Sequence, residues 1–552
     1  MSSVITNRHV VDSTRSTSNS DRFRIAIVGC GPRGLQCLEA MSRLLTTDQL
    51  SRLEITLFEP ANKPGAGRVY DPSQSHVLRM NFATQFVDFW KTDTNLPSRR
   101  SESLIGWLSK HRPEWATADQ FVPRAVVGEY LHECFTTVWK NLSQHALVEW
   151  KPTVVQRIAK TSKGWSIGDE SDTRHYDHVV ITTGHEGIRG SKVSDSNVEE
   201  SCESFVFPVE TQLSKERIPA GSRVSIRGFG LTAIDAILML TQGRGGEFVD
   251  GPRLPSYVPS LDEPSRIDVY SRSGRPMLAK PTAKVEPITS DFWQPFKEEL
   301  MHRKSRHGEL HFRNDVWRIV TTAAAALLDR AGQNYQSQHI DNWYRGWLHY
   351  KMDAASARRA MLQSYWVATG QRPKDIPFAI GESWRKLYPE LVELIGYGGL
   401  ASESWRCYDR TRCEMERIAF GPPAESVGMI LSLLRSKHVC CHVLANEDEN
   451  LAAQLESKRR LNAVLASPSE FQPSGLLADL VETGVVKRDQ ISGGLVVDQA
   501  GCANGDAGSL AIFGRATEGW VIGNDTLSRT LHQQIGNWAQ KLATQVVCPT
   551  SS

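Results

Sequence analysis

Closely spaced cysteine pairs are missing from this chain. Its 10 cysteines include no CxxC or CxxxxC pair, which disfavours a dithiol relay. Cys440 and Cys441 are adjacent in HVCCHVL, which reads as a buried strand with the thiols as packing groups. His438 and His442 flank them, but neighbouring strand positions alternate faces, so no metal site is expected. HExxH, a P-loop lysine motif and a G-x-S-x-G elbow are also lacking. There is no uninterrupted apolar run of membrane-spanning length and nothing resembling an export signal at the start, so a cytoplasmic location is expected. An excess of one charge is absent too: 64 Lys and Arg stand against 62 Asp and Glu, net +2 and spread out, with no pull toward nucleic acid. At 552 residues the chain exceeds a single core and predicts two or three domains. Its serine-rich opening, residues 1–22, reads as a flexible tail.

What the chain does have is two glycine-rich turns of the dinucleotide-binding kind. The first, FRIAIVGCGPRGL, carries Gly29, Gly31 and Gly34 after an apolar run suited to a buried parallel strand. Gly29 permits the tight turn, Gly31 the close approach of a pyrophosphate, and Gly34 close packing of helix on strand. The helix that follows, through about Leu45, aims free N–H groups at the phosphates. The next strand, Leu53 to Phe58, ends at Glu59, an acidic group suited to a ribose diol and repelling a 2′-phosphate. It lies 30 residues past Gly29, further than the usual spacing, with the loop at Thr46 to Ser51 taking up the excess. This turn suits FAD or NAD rather than NADP; the plain alternative is an ordinary strand–turn–helix. In the second turn, SRVSIRGFGLTAIDA, Gly228 and Gly230 hold the corresponding places and Ala233 replaces the third glycine. The next strand, Ile267 to Tyr270, ends in SRSG, where Arg272 can receive a 2′-phosphate with Ser271 or Ser273 beside it. A surface arginine in a polar turn is the alternative. Two such turns together point to a flavin reduced by a nicotinamide.

The remaining stretches predict how these parts connect. Pro60 to Trp90 is rich in Gly, Asn and aromatics without a period, and reads as a loop wrapped around a ligand. In it Gly65 and Gly67 allow close backbone approach, Arg68 can meet phosphate, and Asn81 can hydrogen-bond a heterocycle. Tyr176 to Gly184 is a strand returning to the first sheet. Residues 285–430 carry long aromatic-rich helical patterns and read as a helical insertion, a substrate cover or a subunit contact in a homo-oligomer. RLNAVLASP is another strand; near the end a strand stops at Gly514, followed by a helix from about Thr526 to Leu542. The expected fold is therefore α/β, with two dinucleotide-binding (Rossmann-like) domains, the second inserted in the first, and a mainly helical insertion. Residues 23–215 and 468–546 would form a discontinuous FAD-binding domain, and 216–284 with 431–467 an NADPH-binding domain.

The stretches VGCGPRGL, the GAGRVYDPS–MNF loop, VPRAVVGEYL, VVITTGH, IRGFGLTAIDAILMLTQGRGGEF, SRSGRP and FGRATEGWVIGND resemble FAD/NAD(P)-binding proteins related to flavin-dependent N-hydroxylating monooxygenases, notably those oxidising aspartate to nitrosuccinate. The resemblance implies FAD at Gly29, Gly31, Pro32, Arg33, Gly34 and Glu59. Contacts nearer its ring would come from Arg68, Met80, Asn81, Gly184, Gly514 and Gly523. NADPH would lie at Gly228, Gly230, Leu231, Thr232, Ser271 and Arg272. NADPH and O2 would then serve N-hydroxylation of a small carboxylated amine, with Asn81 as a polar contact at the reacting centre. Arg68 and arginines of the helical insertion would be candidates for a carboxylate clamp. The FxGxxxHxxxW fingerprint of ketone-oxygenating and simple flavin-containing monooxygenases is absent: HEGIRG follows Gly184, and FVFPVET lacks the histidine. Two other classes share the scaffold. A flavin oxidase or dehydrogenase would act without oxygen transfer, and a redox-sensing interaction protein would not turn over NADPH.

Overall fold

The computed structural model describes residues 22–90, 102–168, 174–184, 204–285, 287–306, 309–443, 459–465, 475–503, 508–524, 527, 529 and 531–547. The tail through residue 21 and the HEGIRG stretch lie outside the described residues. The chain opens with β1 (Phe23–Val28), α1 (Pro32–Leu44), β2 (Leu53–Phe58), α2 (Arg124–Ser143), β3 (Leu147–Lys151) and β4 (His178–Ile181). It continues through β5 (Ser204–Phe205), β6 (Arg223–Arg227), α3 (Leu231–Leu240) and β7 (Arg266–Ser271). Helices α4 (Ser290–Arg306), α5 (Arg318–Arg330), α6 (Ser337–His349), α7 (Ala354–Ala368), α8 (Ile376–Ile395), α9 (Ser402–Ile418) and α10 (Ala424–Arg435) follow. The chain then returns through β8 (Val439–Val443), β9 (Arg459–Asn462), β10 (Leu510–Ile512) and α11 (Gln534–Val547).

Two five-stranded sheets result, in the orders β10-β4-β1-β2-β3 and β8-β7-β6-β9-β5. Every pairing in both is parallel. Parallel strands covered on both faces need apolar side chains throughout, and Ile25, Ala26 and Ile27 of β1 are fully buried. In each sheet the strand feeding a glycine turn, β1 or β6, is the central one. Its carboxyl end is therefore where an open α/β sheet presents a ligand crevice. The fold is α/β with two Rossmann-like units, the second sheet lying in sequence between strands of the first.

Four sequence expectations are corrected here. The second sheet takes in Ser204–Phe205, ahead of residue 216, because β5 pairs with β9. At the other end, Val427, Ile430 and Leu431 of α10 are buried in the core of the second sheet, so that unit reclaims the chain before residue 431. The HVCCHVL strand forms, but as the sheet's edge strand β8, which leaves Cys440 and Cys441 half-buried rather than buried. There His442 Nε2 sits 2.8 Å from Asp268 Oδ1 and His438 Nδ1 sits 3.2 Å from Ser436 Oγ. The last helix starts at Gln534, not near Thr526. The chain before it is held by Arg529, which donates to the Phe89 carbonyl and the Glu39 carboxylate at 2.9 and 2.6 Å, and by His532 against the Gly523 carbonyl at 3.2 Å. Those tertiary contacts override local helical preference.

The helical unit, α4 to α9, has its own core around Trp293, Trp317, Tyr344, Trp384 and Tyr408. It braces both nucleotide-type units: Met352 N donates to Ser273 O at 2.9 Å, and Tyr397 N to Trp520 O at 2.8 Å. Among the described residues no helix is long and apolar enough to cross a membrane.

A buried imidazole pins α11 under the first sheet. Trp538 Nε1 donates to His178 Nε2 at 2.9 Å, which fixes the neutral ring with its proton on Nδ1. Burial, with the Lys541 ammonium adding to it, pushes the His178 pKa down to about 3. A histidine whose folded pKa is depressed stabilises fully above its unfolded value, about 6.5, and progressively less as pH falls toward the folded one. Stability should drop by about 1.4 kcal/mol for each unit of pH below 6.5 on this account. Denaturant melts at pH 7.5 and 5 should show a larger loss in the wild type than in His178→Gln, which keeps an acceptor for Trp538; equal losses would contradict the assignment.

Candidate functional site

At the first glycine turn, each glycine has a distinct steric reason. Gly29 has φ +91°, and a Cβ there would lie 2.8 Å from the Thr182 carbonyl oxygen at the end of β4. A Cβ on Gly34 would lie 2.4 Å from the Gly29 carbonyl oxygen and 2.9 Å from Thr182 Oγ1. Gly31 caps α1 and faces the loop, with a Cβ there 3.5 Å from the Gly67 Cα. Thr182 Oγ1 in turn donates to the Gly29 carbonyl at 2.6 Å, locking the turn onto β4. Glu59, 8% exposed, accepts from the Cys30 N–H at 2.6 Å and the Ala61 N–H at 2.8 Å. Its carboxylate is thus held at the carboxyl end of β2, beside the turn.

The end of the chain closes this region. Gly514 (φ +89°) lies against Arg33, and its carbonyl accepts from Asn524 Nδ2 at 3.1 Å. Arg33 donates to the Asn524 carbonyl at 3.0 Å and to Gln36 Oε1 at 2.9 Å. A cleft lies between the starts of α1 and α11, lined by Arg33, Gly514, Asn524, Arg529, His532 and Gln534 among others. Three arginines line the cleft, Arg33, Arg43 and Arg529, of which Arg43 and Arg529 both pair with Glu39; with the start of α11 they give it a positive lining. Two buried polar atoms here have no partner among the described residues, Gln534 Nε2 and Thr183 Oγ1. The donor set therefore fits a phosphate-bearing dinucleotide. Gly523 (φ +75°) sits where the helical unit meets this turn, a Cβ there lying 3.1 Å from Val392 Cγ2. Gly184 (φ +77°) ends the β4 segment, with no described residue within 4 Å of a Cβ there.

The second turn is built alike but more open. Gly228 has φ +101° and donates its N–H to Tyr270 O at 2.8 Å. Gly230 caps α3 with nothing within 4 Å of a Cβ, and Leu231 and Thr232 form the first turn of the helix. β6 and β7 pair up to Arg227↔Tyr270, so Ser271 and Arg272 emerge beside Gly228. Ser271 Oγ accepts from the Gly274 N–H at 3.1 Å and braces the turn, while the Arg272 side chain is exposed.

The Asn81 loop sits where the three units meet. Met80 is buried and its N–H donates to Val122 O at 2.9 Å. Asn81 Nδ2 reaches the Phe420 carbonyl at 3.5 Å, and its own carbonyl accepts from Lys280 Nζ. Lys280 is 9% exposed and lies 4.5 Å from the Phe82 ring centroid. Arg68 is exposed, next to Gly67 and therefore near the first turn. The structure thus brings the residues of each turn together and draws Asn81 to the domain junction. Sequence reasoning did not find Lys280, Asn524 or Gln534: each is a single polar residue without periodic or motif context, recruited by tertiary approach.

Residues 26–186 match the FAD-NAD(P)-binding family model. The chain is 30% identical over 337 residues to nitrosuccinic acid synthase npaA of Aspergillus oryzae, covering 55% of this chain and 49% of that protein. It is 25% identical over 397 residues to the nitrosuccinate-forming L-aspartate N-monooxygenase of Streptomyces davaonensis, covering 63% and 59%. The chain is similar to these proteins over those stretches. It spans about half the length of the curated relatives it matches. Among solved structures, an open form of cyclohexanone monooxygenase aligns at 12% identity with a TM-score of 0.44, over 95% of this chain and 87% of that one. The lysine monooxygenase NbtG from Nocardia farcinica aligns at 13% and 0.43, over 94% and 99%.

The steric role of Gly34 gives a direct test. A methyl group 2.4 Å from a backbone oxygen cannot be relieved by a rotamer change, so Gly34→Ala should destabilise the chain by about 1–3 kcal/mol. Loss of bound dinucleotide should accompany it, read from the absorbance of the purified protein. Wild-type stability and dinucleotide content would refute the packing role.

Proposed function

We propose that this chain is an FAD-dependent monooxygenase that uses NADPH and O2 to N-hydroxylate the amine of a small carboxylated substrate, an amino acid such as aspartate. The observation that carries the reading is the pair of parallel sheets, each presenting a glycine turn and a helix N-terminus, joined at the Asn81 loop. The nitrosuccinate-forming relatives support the choice of substrate class. In this reading the first unit holds FAD, the second holds NADPH, and the helical unit covers the substrate.

Bound FAD would accept hydride from NADPH and supply oxygen activation; the chain does the rest by binding and exclusion. The open N–H groups of α1 and α11, with Arg33, hold the pyrophosphate and neighbouring anionic groups. Glu59, preset by the Cys30 and Ala61 amides, accepts from the adenosine ribose hydroxyls. Arg272 and Ser271 take the 2′-phosphate of the nicotinamide cofactor. Phe82, Phe420 and the helical unit exclude water around Asn81, which orients the reacting groups. Amine attack requires the neutral amine, so turnover needs a dry, oriented site more than a strong general base.

The test is NADPH oxidation under oxygen with aspartate and other amino acids, with product analysis by mass spectrometry after labelling with heavy O2. Substrate-dependent turnover that places labelled oxygen on nitrogen supports the proposal. Full peroxide release without labelled product would point to an oxidase, and absence of turnover with any acceptor to a redox-sensing role. Arg272→Ala should raise KM for NADPH about tenfold, a loss expected for one charged hydrogen-bonding group, and leave KM for NADH unchanged. An equal effect on both cofactors would remove Arg272 from the 2′-phosphate site.

A further inference from the structure

We infer that Arg417, carried by the helical unit, is a second cation for the 2′-phosphate of NADPH, beside Arg272; this rests on the cofactor assignment in the reading above. Arg417 stands in the last turn of α9 and is strapped to the chain that leaves β7. Its carbonyl accepts from the Leu278 N–H at 2.8 Å, and its Nη1 donates to the Arg275 carbonyl at 3.2 Å. The SRSG turn is also pressed onto the helical unit directly. Met352 N donates to Ser273 O at 2.9 Å, and a Cβ on Gly274 would meet the Met352 carbonyl oxygen at 1.9 Å. The helical unit thereby brings its own residues to the turn that ends β7.

The charges gathered there do not balance. Glu414 is engaged by Arg275, which grips it bidentately at 3.0 and 2.9 Å, and by Trp347 Nε1 at 2.8 Å. Arg417 Nε lies 3.7 Å from the same carboxylate, too far for a hydrogen bond, and is buried with no hydrogen-bond partner among the described residues. Burial pushes the Arg417 guanidinium down from its usual range against the pull of Glu414, and the Arg275 and Arg272 guanidiniums push it the same way. Three arginines around one carboxylate leave two positive charges in excess. A phosphate monoester carries about −1.5 to −2 at pH 7 and three strong acceptor oxygens, which matches that excess. The turn completes the donor set. Ser271 Oγ accepts from the Gly274 N–H at 3.1 Å and Ser273 Oγ from the Arg275 N–H at 3.3 Å, so the backbone orients each hydroxyl and leaves its proton for an acceptor. The Arg417 side chain is 27% exposed, which leaves part of its fork open to a ligand. A cation in the last turn of a helix is favourable by itself, but that does not call for burying Nε among two further arginines. A phosphate held by Arg272 and Arg417 together relieves their repulsion and ties the helical unit to the cofactor, which NADH would not do.

The test measures binding of 2′,5′-ADP and of 5′-AMP to the flavin-loaded enzyme and to its Arg417→Gln and Arg417→Lys variants. Glutamine keeps a donor for the Arg275 carbonyl without the charge. The wild type should bind 2′,5′-ADP at least about thirtyfold more tightly than 5′-AMP. Arg417→Gln should weaken 2′,5′-ADP about tenfold, as expected for one charge-assisted contact, and leave 5′-AMP unchanged. Arg417→Lys should recover part of the loss, since it keeps the charge without the fork, and it carries the same comparison if the Gln variant does not fold. Adding Arg272→Ala should abolish the preference for the 2′-phosphate. A 2′,5′-ADP affinity within threefold of the wild type in Arg417→Gln overturns the inference. So does an equal loss on both probes, which marks a packing role, and so does a wild type that binds both probes alike. Selective loss in a protein that makes no N-oxygenated product upholds this site while the amine-hydroxylase reading fails.

Discussion

A helix can aim its N-terminal amides at a phosphate only if it lies close against the strand that feeds it. Here Gly34 sets that distance. With a hydrogen in place of Cβ, α1 settles onto the Gly29 carbonyl and Thr182, and the first-turn amides point across the end of the sheet. The other parts are arranged around this contact. Thr182 fixes β4 to the turn, Glu59 is held by the Cys30 amide, and Gly67 lies over Gly31. Gly514 brings the end of the chain to Arg33. A covalent staple is not needed, because backbone closeness and hydrogen bonds to buried groups constrain each partner in turn.

The second turn shows what changes when the third glycine becomes Ala233. That residue is fully buried, so the methyl is packed, and the tight spot shifts to Gly228 against Val464 and Ala463. Among the described residues nothing lies within 4 Å of a Cβ on Gly230, and the Arg272 side chain at the end of β7 is exposed. The first turn is embraced by its own loop and the chain's end; the second is open. On the proposed reading this matches a cofactor that stays against one that must come and go with each turnover.

Much of this was readable before any coordinates, for a physical reason. β1 and β2 are mainly apolar and largely buried, β6 and β7 carry Val224, Ile226, Ile267, Val269 and Tyr270 around buried Ser225 and Asp268, and glycine turns follow β1 and β6; both are local signals carried by consecutive residues. The helical character of 285–430 was legible from its length and periodicity. What escaped depends on distant approach. Ser204–Phe205 is too short to announce itself and exists because β9 runs alongside it. The late start of α11 follows from Arg529 and His532 holding the preceding chain to Glu39, Phe89 and Gly523. Lys280 carried no motif; its burial is the result of three units meeting.

The same junction explains why sequence motifs of both units include residues that touch no turn. VPRAVVGEYL contributes Arg124, and the second glycine motif contributes Asp235; they pair at 2.6 Å with side chains only 15% and 12% exposed. The Arg124 N–H also donates to Leu78 O, and the Leu78 side chain is buried in the core of the second unit although its loop belongs to the first. Removing either partner of so buried a pair strands a charge, which costs about 3–5 kcal/mol. An apolar contact would glue the two units as well, but it would tolerate sliding. A buried ion pair flanked by backbone hydrogen bonds fixes the register of α3 against α2, and with it the position of Gly230 relative to Gly31. On the proposed reading, hydride transfer between two bound dinucleotides would depend on that relative position at the ångström scale. The placement of this pair inside the motifs is then the expected outcome of needing one geometry rather than merely one assembly.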